Sequence, residues 1–412
     1  MKKMKPLFLL TLLFFLFNTK NLYSSDYSDY YSLLTESVFA TSDENTGTTV
    51  FPILKIPAGG KPEAMGTAQT AVPTDSSSLL YNPALSSVLD LTELSFFHNN
   101  WISDSSVESI MFTTRFNDFG IGTGFKLVYL PFTAYDSWGI AESKAYLFEG
   151  VAILNASYNF FRNFYFDGVS VGVSLKVGYR HIPTSIYSDQ SSLAIMGDAG
   201  LYTSFDFLKF YESRKSNWSV GVVFRNAGAE TLGEALPTEL SAGFSYAPIE
   251  PVQVAADFNL PINLLGETAE SWYISGGFNA DITDFFSFQA GFNYMGSNPR
   301  LSLGSTIDLE NIAFNINYTH DLTTSTSILN RFSIEAKLKL GDEGRYERQK
   351  QVDELYIAGL NAYAEGDLQR AITYWEAALK IDPTFTPAKE FLESAKRSLD
   401  LLGEMLDLNK VE

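Results

Sequence analysis

The stretch GVSVGVSLKVGYR, residues 168–180, decides how this chain is read. Val169, Val171, Val173, Leu175, Val177 and Tyr179 fall on one parity. Ser170, Gly172, Ser174, Lys176, Gly178 and Arg180 fall on the other. A period of two predicts a strand with two unlike faces. The pattern recurs in FFSFQAGFNYM (285–295), NIAFNINYT (311–319) and RFSIEAKLKL (331–340). From Leu94 onward about 14 such segments can be counted, many of them about 9 to 12 residues long, the length a tilted strand needs to cross a bilayer.

Alternation alone also suits a soluble β-sandwich, so the connections have to choose. FNDFG (116–120), DITDF (281–285) and DLEN (308–311) are terse, whereas PFTAYDSWGIAES (131–143), NAGAETLGEALPT (226–238) and HDLTTSTSILN (320–330) are long. Short turns at one rim and long loops at the other predict a membrane barrel. FLKFYESRKSN (207–217) breaks that rhythm, and Met295–Arg300 is shorter than it asks for. Lys176, Arg180, Glu335, Lys337 and Lys339 share the polar parity, which a barrel turns to a wet lumen while its Phe, Tyr and Val face meets lipid. A soluble exported β domain is the alternative.

Composition narrows the function. A formal charge of -19 over 412 residues argues against wrapping nucleic acid, whose phosphates call for Lys and Arg clusters. Lys2, Lys3 and Lys5 precede the apolar run LFLLTLLFFLF (7–17). That run is short for a spanning helix and right for a signal peptide, predicted over residues 1–25, with a short membrane anchor as the alternative. With no cysteine there is no disulfide, thiolate metal site or thiol nucleophile. Residues 26–56, acidic and rich in Ser and Thr over most of their length, read as a mobile linker.

After Leu340 the spacing becomes helical. LYIAGLNAYAEGDLQRAITYWEAALKIDP resembles a tetratricopeptide repeat, with Gly359, Gly366, Ala371, Trp375, Ala378 and Pro383 at its packing and stop positions. Small residues let two helices approach, Trp375 fills the groove between them, and Pro383 ends the second. A following helix, Pro387 to Leu406, is expected to cap the repeat. Residues 341–412 are therefore expected to form a small all-α module, in the periplasm if the barrel reading holds.

Between linker and strands lies AGGKPEAMGTAQTAVPTDSSSLLYNPALSS. It resembles the N-terminal segment of FadL-type outer-membrane channels and the related PorV/PorQ proteins, in which a Gly/Ala-rich run leads through Asp-Ser/Ala to Tyr-x-Asn-Pro-Ala. Gly60, Met65, Gly66, Ala71, Asp75, Tyr81, Asn82, Pro83 and Ala84 stand at those positions. The resemblance implies an all-β transmembrane barrel of 14 antiparallel strands (91–340) plugged by a hatch (57–90). It also implies spirochaetal FadL-like relatives and carriage of long-chain fatty acids or other hydrophobic molecules. Asp75 is expected to cap a short helix, Pro83 to force Asn82 out of the helical region, and Asn82 to bond backbone at the turn. The alternative is an ordinary Asn-Pro turn entering the first strand.

Gly120, Gly122 and Gly124 are candidates for an inward kink that opens a lateral gate; the alternative is that they make room for the plug. Because the lumen parity is polar, a greasy pocket has to come from the hatch and the outer loops, with PFTAYDSW (131–138) and LPINLLG (260–266) as candidates. His98, His181 and His320 lack metal-ligand spacing, and no serine is recognisable as a partner for a His98 base. No enzyme, metal or cofactor is expected. The leading function is passive uptake of a hydrophobic small molecule across an outer membrane, with outer-membrane lipid around the barrel. The alternative is a PorV-like anchor whose helical repeat recruits a periplasmic protein partner.

Overall fold

The computed structural model describes residues 47–101, 105–135, 138–184, 190–266, 268–296, 299–322 and 330–408. The expected signal peptide and the linker up to residue 46 lie outside the described residues. The polar-apolar alternation folds into fourteen antiparallel strands. They are β1 (Thr92–Asn100), β2 (Ser106–Phe116), β3 (Phe119–Tyr135), β4 (Ala141–Phe160) and β5 (Val169–His181). Next come β6 (Ser192–Phe205), β7 (Trp218–Gly228), β8 (Thr238–Ile249), β9 (Val252–Ile262) and β10 (Tyr273–Thr283). The last are β11 (Phe286–Tyr294), β12 (Arg300–Asp308), β13 (Ile312–Asp321) and β14 (Asn330–Gly341). Each strand pairs with its neighbours in sequence, and β14 pairs with β1, so the barrel is closed and has no free edge.

The faces are inverted relative to a water-soluble protein. In β5, Leu175 is 51% exposed while Lys176 next to it is 2% exposed. Phe96, Val173, Ile195, Phe244, Phe258 and Ile316 likewise look outward, and Ser95, Asn155, Asp257 and Asn315 are buried inside. An apolar mantle around a polar interior has its low-energy state in a bilayer, which settles the choice against a soluble sandwich.

β1 begins and β14 ends at the same rim. There the β2–β3, β8–β9, β10–β11 and β12–β13 connections are terse. The 207–217 connection, which broke the expected rhythm, also lies at this rim, and it has a packing partner. Helices α2 (Arg345–Ala364), α3 (Leu368–Ile381) and α4 (Thr386–Leu408) form the C-terminal module. Arg214 pairs with Asp353 of α2 at 2.9 Å. In the β4–β5 connection, Phe164 meets Phe385 edge-on at 5.1 Å, and Tyr165 donates to Glu390 at 3.4 Å. Arg345 donates to the carbonyl oxygens of Arg115 and Asp90. The module is seated on the rim, and the two long connections there are its seats.

Inside the module, Trp375 is fully buried and its indole N–H donates to the Tyr356 carbonyl at 3.2 Å. Gly359 faces the indole so closely that a Cβ there would overlap it. Ala371 and Ala378 are buried beside it, Gly366 takes φ +84° at the end of α2, and Pro383 follows the last residues of α3. Overpacking such a contact costs roughly 1–3 kcal/mol. Gly359→Val is therefore expected to make α2–α4 sensitive to limited proteolysis while the heat-modifiable electrophoretic shift of the barrel stays as in the wild type.

Candidate functional site

The lumen is filled by residues 48–91. The plug begins earlier than the sequence reading set it. Val50, Phe51 and Ile53, expected to end a mobile linker, are fully buried in a cluster with Met111, Val151, Ile153, Met196 and Leu236 of the wall and rim. A Phe and two β-branched apolar side chains are enough to anchor them once an apolar patch of wall faces inward. The Val50 amide donates to the Ala235 carbonyl at 3.0 Å. The Ile53 amide donates to Glu149 at 3.3 Å, and Lys126 of β3 donates to the carbonyls of Ile53 and Ile56.

Beyond Pro57 the plug is stitched to the wall by the polar parity of the strands. The single-turn helix α1 (Gly60–Ala64) has its Gly60 amide on Glu335 at 2.8 Å, and Asn317 donates to the Gly60 carbonyl at 2.8 Å. Glu63 accepts from Asn99 at 3.0 Å and from Ser333 at 2.5 Å. Burial pushes its carboxyl above the ordinary range. Met65 and Gly66 then press against β10 and β11. Gly66 has φ +63°, and a Cβ on Gly291 would overlap both residues. The amides of Gln69 and Thr70 each donate to Asp257 at 2.8 Å, and Ser219 donates to the Ala71 carbonyl at 2.7 Å.

Asp75 caps the 3-10 turn Ser76–Leu80, accepting from the Ser77 amide at 2.9 Å, and pairs with Lys337 of β14 at 2.5 Å. Burial alone would raise its carboxyl, but the Lys337 ammonium and the Ser77 hydrogen bonds hold it below the usual range. Tyr81 donates to the Ala58 carbonyl at 2.9 Å, closing the plug on itself. Asn82 has extended φ −150°, ψ 113°, as the following Pro83 requires. Its Oδ1 accepts from the Ala84 amide at 3.0 Å, while Nδ2 donates to the Thr70 carbonyl at 2.8 Å and the Leu201 carbonyl of β6 at 3.1 Å. Ala84 packs with Leu85 and Tyr202. The Asn-Pro-Ala triplet is therefore a knot between two plug segments and the wall, and residues 85–91 separate it from β1.

Gly120, Gly122 and Gly124 do not mark a kink. β3 keeps unbroken pairing with β2 and β4 through all three. Gly120 lies against the Ser86–Ser87 backbone, Gly122 against Leu79, and Gly124 against Met111. The first two make room for the plug, and the third for a neighbouring side chain. A wall irregularity occurs instead at β7. The β6–β7 register shifts between Gly197 and Ala199, Asn226 adopts φ +58°, and its amide donates to Asp198 at 2.8 Å.

On the rim-loop side of the plug, away from the termini, lies a cavity of about 370 Å³. Leu54, Ile56, Pro57 and Tyr81 of the plug line it, with Pro261 and Ile262 from the 260–266 stretch that was expected to contribute. Among the described residues of the 131–138 stretch none lines it, and Tyr135 and Trp138 are exposed. The wall is charged. Lys176 pairs with Asp198 at 2.6 Å, Arg225 with Glu239, and Arg331 with Asp321 at 3.0 Å beneath the Trp101 ring. Among the described residues Lys126 makes no carboxylate pair, and its partners are the two plug carbonyls.

Lys126, Glu149, Asp198, Arg225, Glu239 and Asp257 were not singled out as site residues from sequence. A signal was present, because Lys126 shares the inward parity of the glycines at 120, 122 and 124. Among the described residues no group of three or more potential ligands is placed to hold a metal.

Residues 35–343 match the family model described as "Uncharacterised protein family (UPF0164)". The chain belongs to the UPF0164 family. A UPF0164 protein of Treponema pallidum (strain Nichols) is 31% identical over 360 residues, covering 84% of this chain and 82% of its own. A second from the same organism is 25% identical over 393 residues, covering 86% and 77%. Among solved structures, the CymD monoaromatic hydrocarbon channel aligns with TM-score 0.48 at 14% identity, over 69% of this chain and 98% of its own. The Pseudomonas putida toluene transporter TodX aligns with TM-score 0.48 at 14% identity, over 68% and 97%. The match to the family model ends at residue 343, so it spans plug and barrel and stops before α2.

Asn82→Ala removes three hydrogen bonds of a buried side chain, worth about 1 kcal/mol each. The expected result is a larger leak conductance in planar bilayers, with the barrel's heat-modifiable shift unchanged.

Proposed function

We propose that this UPF0164 member is an outer-membrane channel for passive uptake of long-chain fatty acids or similar amphipathic molecules, with its helical module in the periplasm. The observation that carries the reading is the cavity above the plug. Its floor is apolar plug surface, and its wall presents one ammonium, Lys126, bonded only to backbone carbonyls. A carboxylate is a stronger partner for that ammonium than a carbonyl oxygen. A ligand acid that reaches Lys126 draws it from Ile53 and Ile56 and frees plug segment 50–57. An acyl tail lies against Leu54, Ile56 and Ile262. Around the same wall Lys176, Arg225 and Arg331 are each held by a carboxylate, whereas Lys126 is held by carbonyls alone, which makes it the position a ligand acid gains most by reaching.

In this reading the residues at 60, 65, 66, 75 and 81–84 hold the gate shut. They act through packing and hydrogen bonds, and the ligand meets the earlier segment first. Lys126→Met is expected to weaken binding of a fluorescent long-chain fatty acid to the purified barrel about tenfold, the scale of one charge-assisted contact, and to leave binding of an uncharged hydrocarbon unchanged. Equal fatty-acid affinity in the variant and the wild type would sink the reading.

The seating of α2–α4 on the rim supports a second reading, a tetratricopeptide-like module that presents a binding surface to an envelope protein. Truncation after Gly341 separates the two. Uptake that survives the cut marks transport as the barrel's own activity, and loss of a co-purifying protein marks recruitment as the module's.

A further inference from the structure

The outward face of the barrel carries a polar feature that neither the plug nor the cavity uses. His98 of β1 and Glu108 of β2 are direct cross-strand partners. Both lie on the parity of Phe96 and Ile110, which faces lipid. His98 Nδ1 is 2.7 Å from Glu108 Oε1 and Nε2 is 3.1 Å from Asn100 Oδ1, and the two side chains are 49% and 41% exposed. One ladder step toward the outer rim, Ser106 pairs with Tyr129, which pairs with Phe148. The rings of Tyr146 and His181 lie beside them, tilted, with centroids 5.5 Å apart. These rings form an aromatic girdle at the membrane boundary. Among the described outward-facing strand side chains below that girdle, Glu108 is the only carboxylate. Among the other described strand acids, Glu149, Asp198, Asp257 and Glu335 point into the lumen, where the plug and wall partner them.

Below the pair the mantle is not level. Ala336 of β14 stands between Phe96 of β1 and Phe314 of β13, so a methyl group lies where its neighbours carry rings. The result is a groove of about 330 Å³ walled by Phe96, Ile110, Phe125 and Ile334, with His98 and Glu108 at its upper end. An ionisable side chain on a lipid-facing surface is costly and persists when it has a partner. His98 engages one carboxylate oxygen of Glu108, and no described side chain hydrogen-bonds the other.

We propose that this groove is a binding site for a membrane lipid with a primary-amine headgroup. The ammonium donates to the second oxygen of Glu108, and one acyl chain lies in the groove over Ala336. Charge selects this occupant. Glu108 attracts an ammonium, and the net charge of -19 repels anionic headgroups. The groove is on the lipid side of the wall and is distinct from the proposed uptake cavity in the lumen.

The test is native mass spectrometry of the full chain released from micelles doped with phosphatidylethanolamine, phosphatidylcholine or phosphatidylglycerol of the same chains. Wild type is expected to retain phosphatidylethanolamine about fivefold over either of the others, the scale of one half-exposed charge contact. Glu108→Gln is expected to remove the preference, and Ala336→Phe to reduce retention of phosphatidylethanolamine by filling the groove. Heat-modifiable migration checks that both variants are folded. Equal retention of the three lipids by wild type, or a preference that survives Glu108→Gln, would mean a general lipid annulus and would overturn the proposal. Neither result touches fatty-acid binding in the lumen, so the two readings stand or fall separately.

Discussion

The structure depends on hydrogen bonds between the inward parity of the strands and the backbone of the plug. A barrel of fourteen strands encloses more space than its own side chains fill, and an open lumen would leak. Here Asn99, Asn155, Asp257, Asn317, Ser333 and Glu335 point inward and bond plug groups from Gly60 to Ser86. Each strand therefore satisfies two solvents with one alternation, hydrocarbon outside and a folded peptide inside. The plug residues are small because they must bring backbone, rather than side chains, to the wall. Gly66, Ala71, Ser76, Ser77 and Ala84 do this, with Gly291 and Gly120 giving the matching space on the barrel.

Charge is distributed by the same logic. The chain is strongly acidic, yet most strand charges are locked in buried pairs such as Lys337 with Asp75 and Lys176 with Asp198. A buried pair contributes little net stability but fixes geometry, because breaking it leaves one charge alone in a poor solvent. Function is argued at two charges outside such pairs: Lys126 on the lumen side, held by carbonyls, and Glu108 on the lipid side, with one oxygen to spare.

The helical module follows a different physics. Its stability comes from Trp375 packed over Gly359 between helices, and its position comes from a few polar and aromatic contacts with two rim connections. The 207–217 connection looked anomalous as a barrel turn because it also packs against another part of the chain.

Barrel, plug and helical module were legible in the sequence because each depends on a local rule. Parity two places Leu175 outside and Lys176 inside, Pro83 forbids a helical Asn82, and Gly359 with Trp375 describes a helix pair. What the sequence left open was long-range. Whether Gly120, Gly122 and Gly124 bend β3 or clear space depends on what lies behind them, and that is Ser86, Leu79 and Met111. The linker-like run through residue 56 belongs to the plug only because Met111, Val151, Ile153 and Met196 converge from three strands to bury Phe51 and Ile53. The cavity, and the pairing of His98 with Glu108 beside Ala336, arise from strand register and closure of β14 on β1. A periodicity names the face on which a residue lies; only the closed ladder decides which residue stands opposite it.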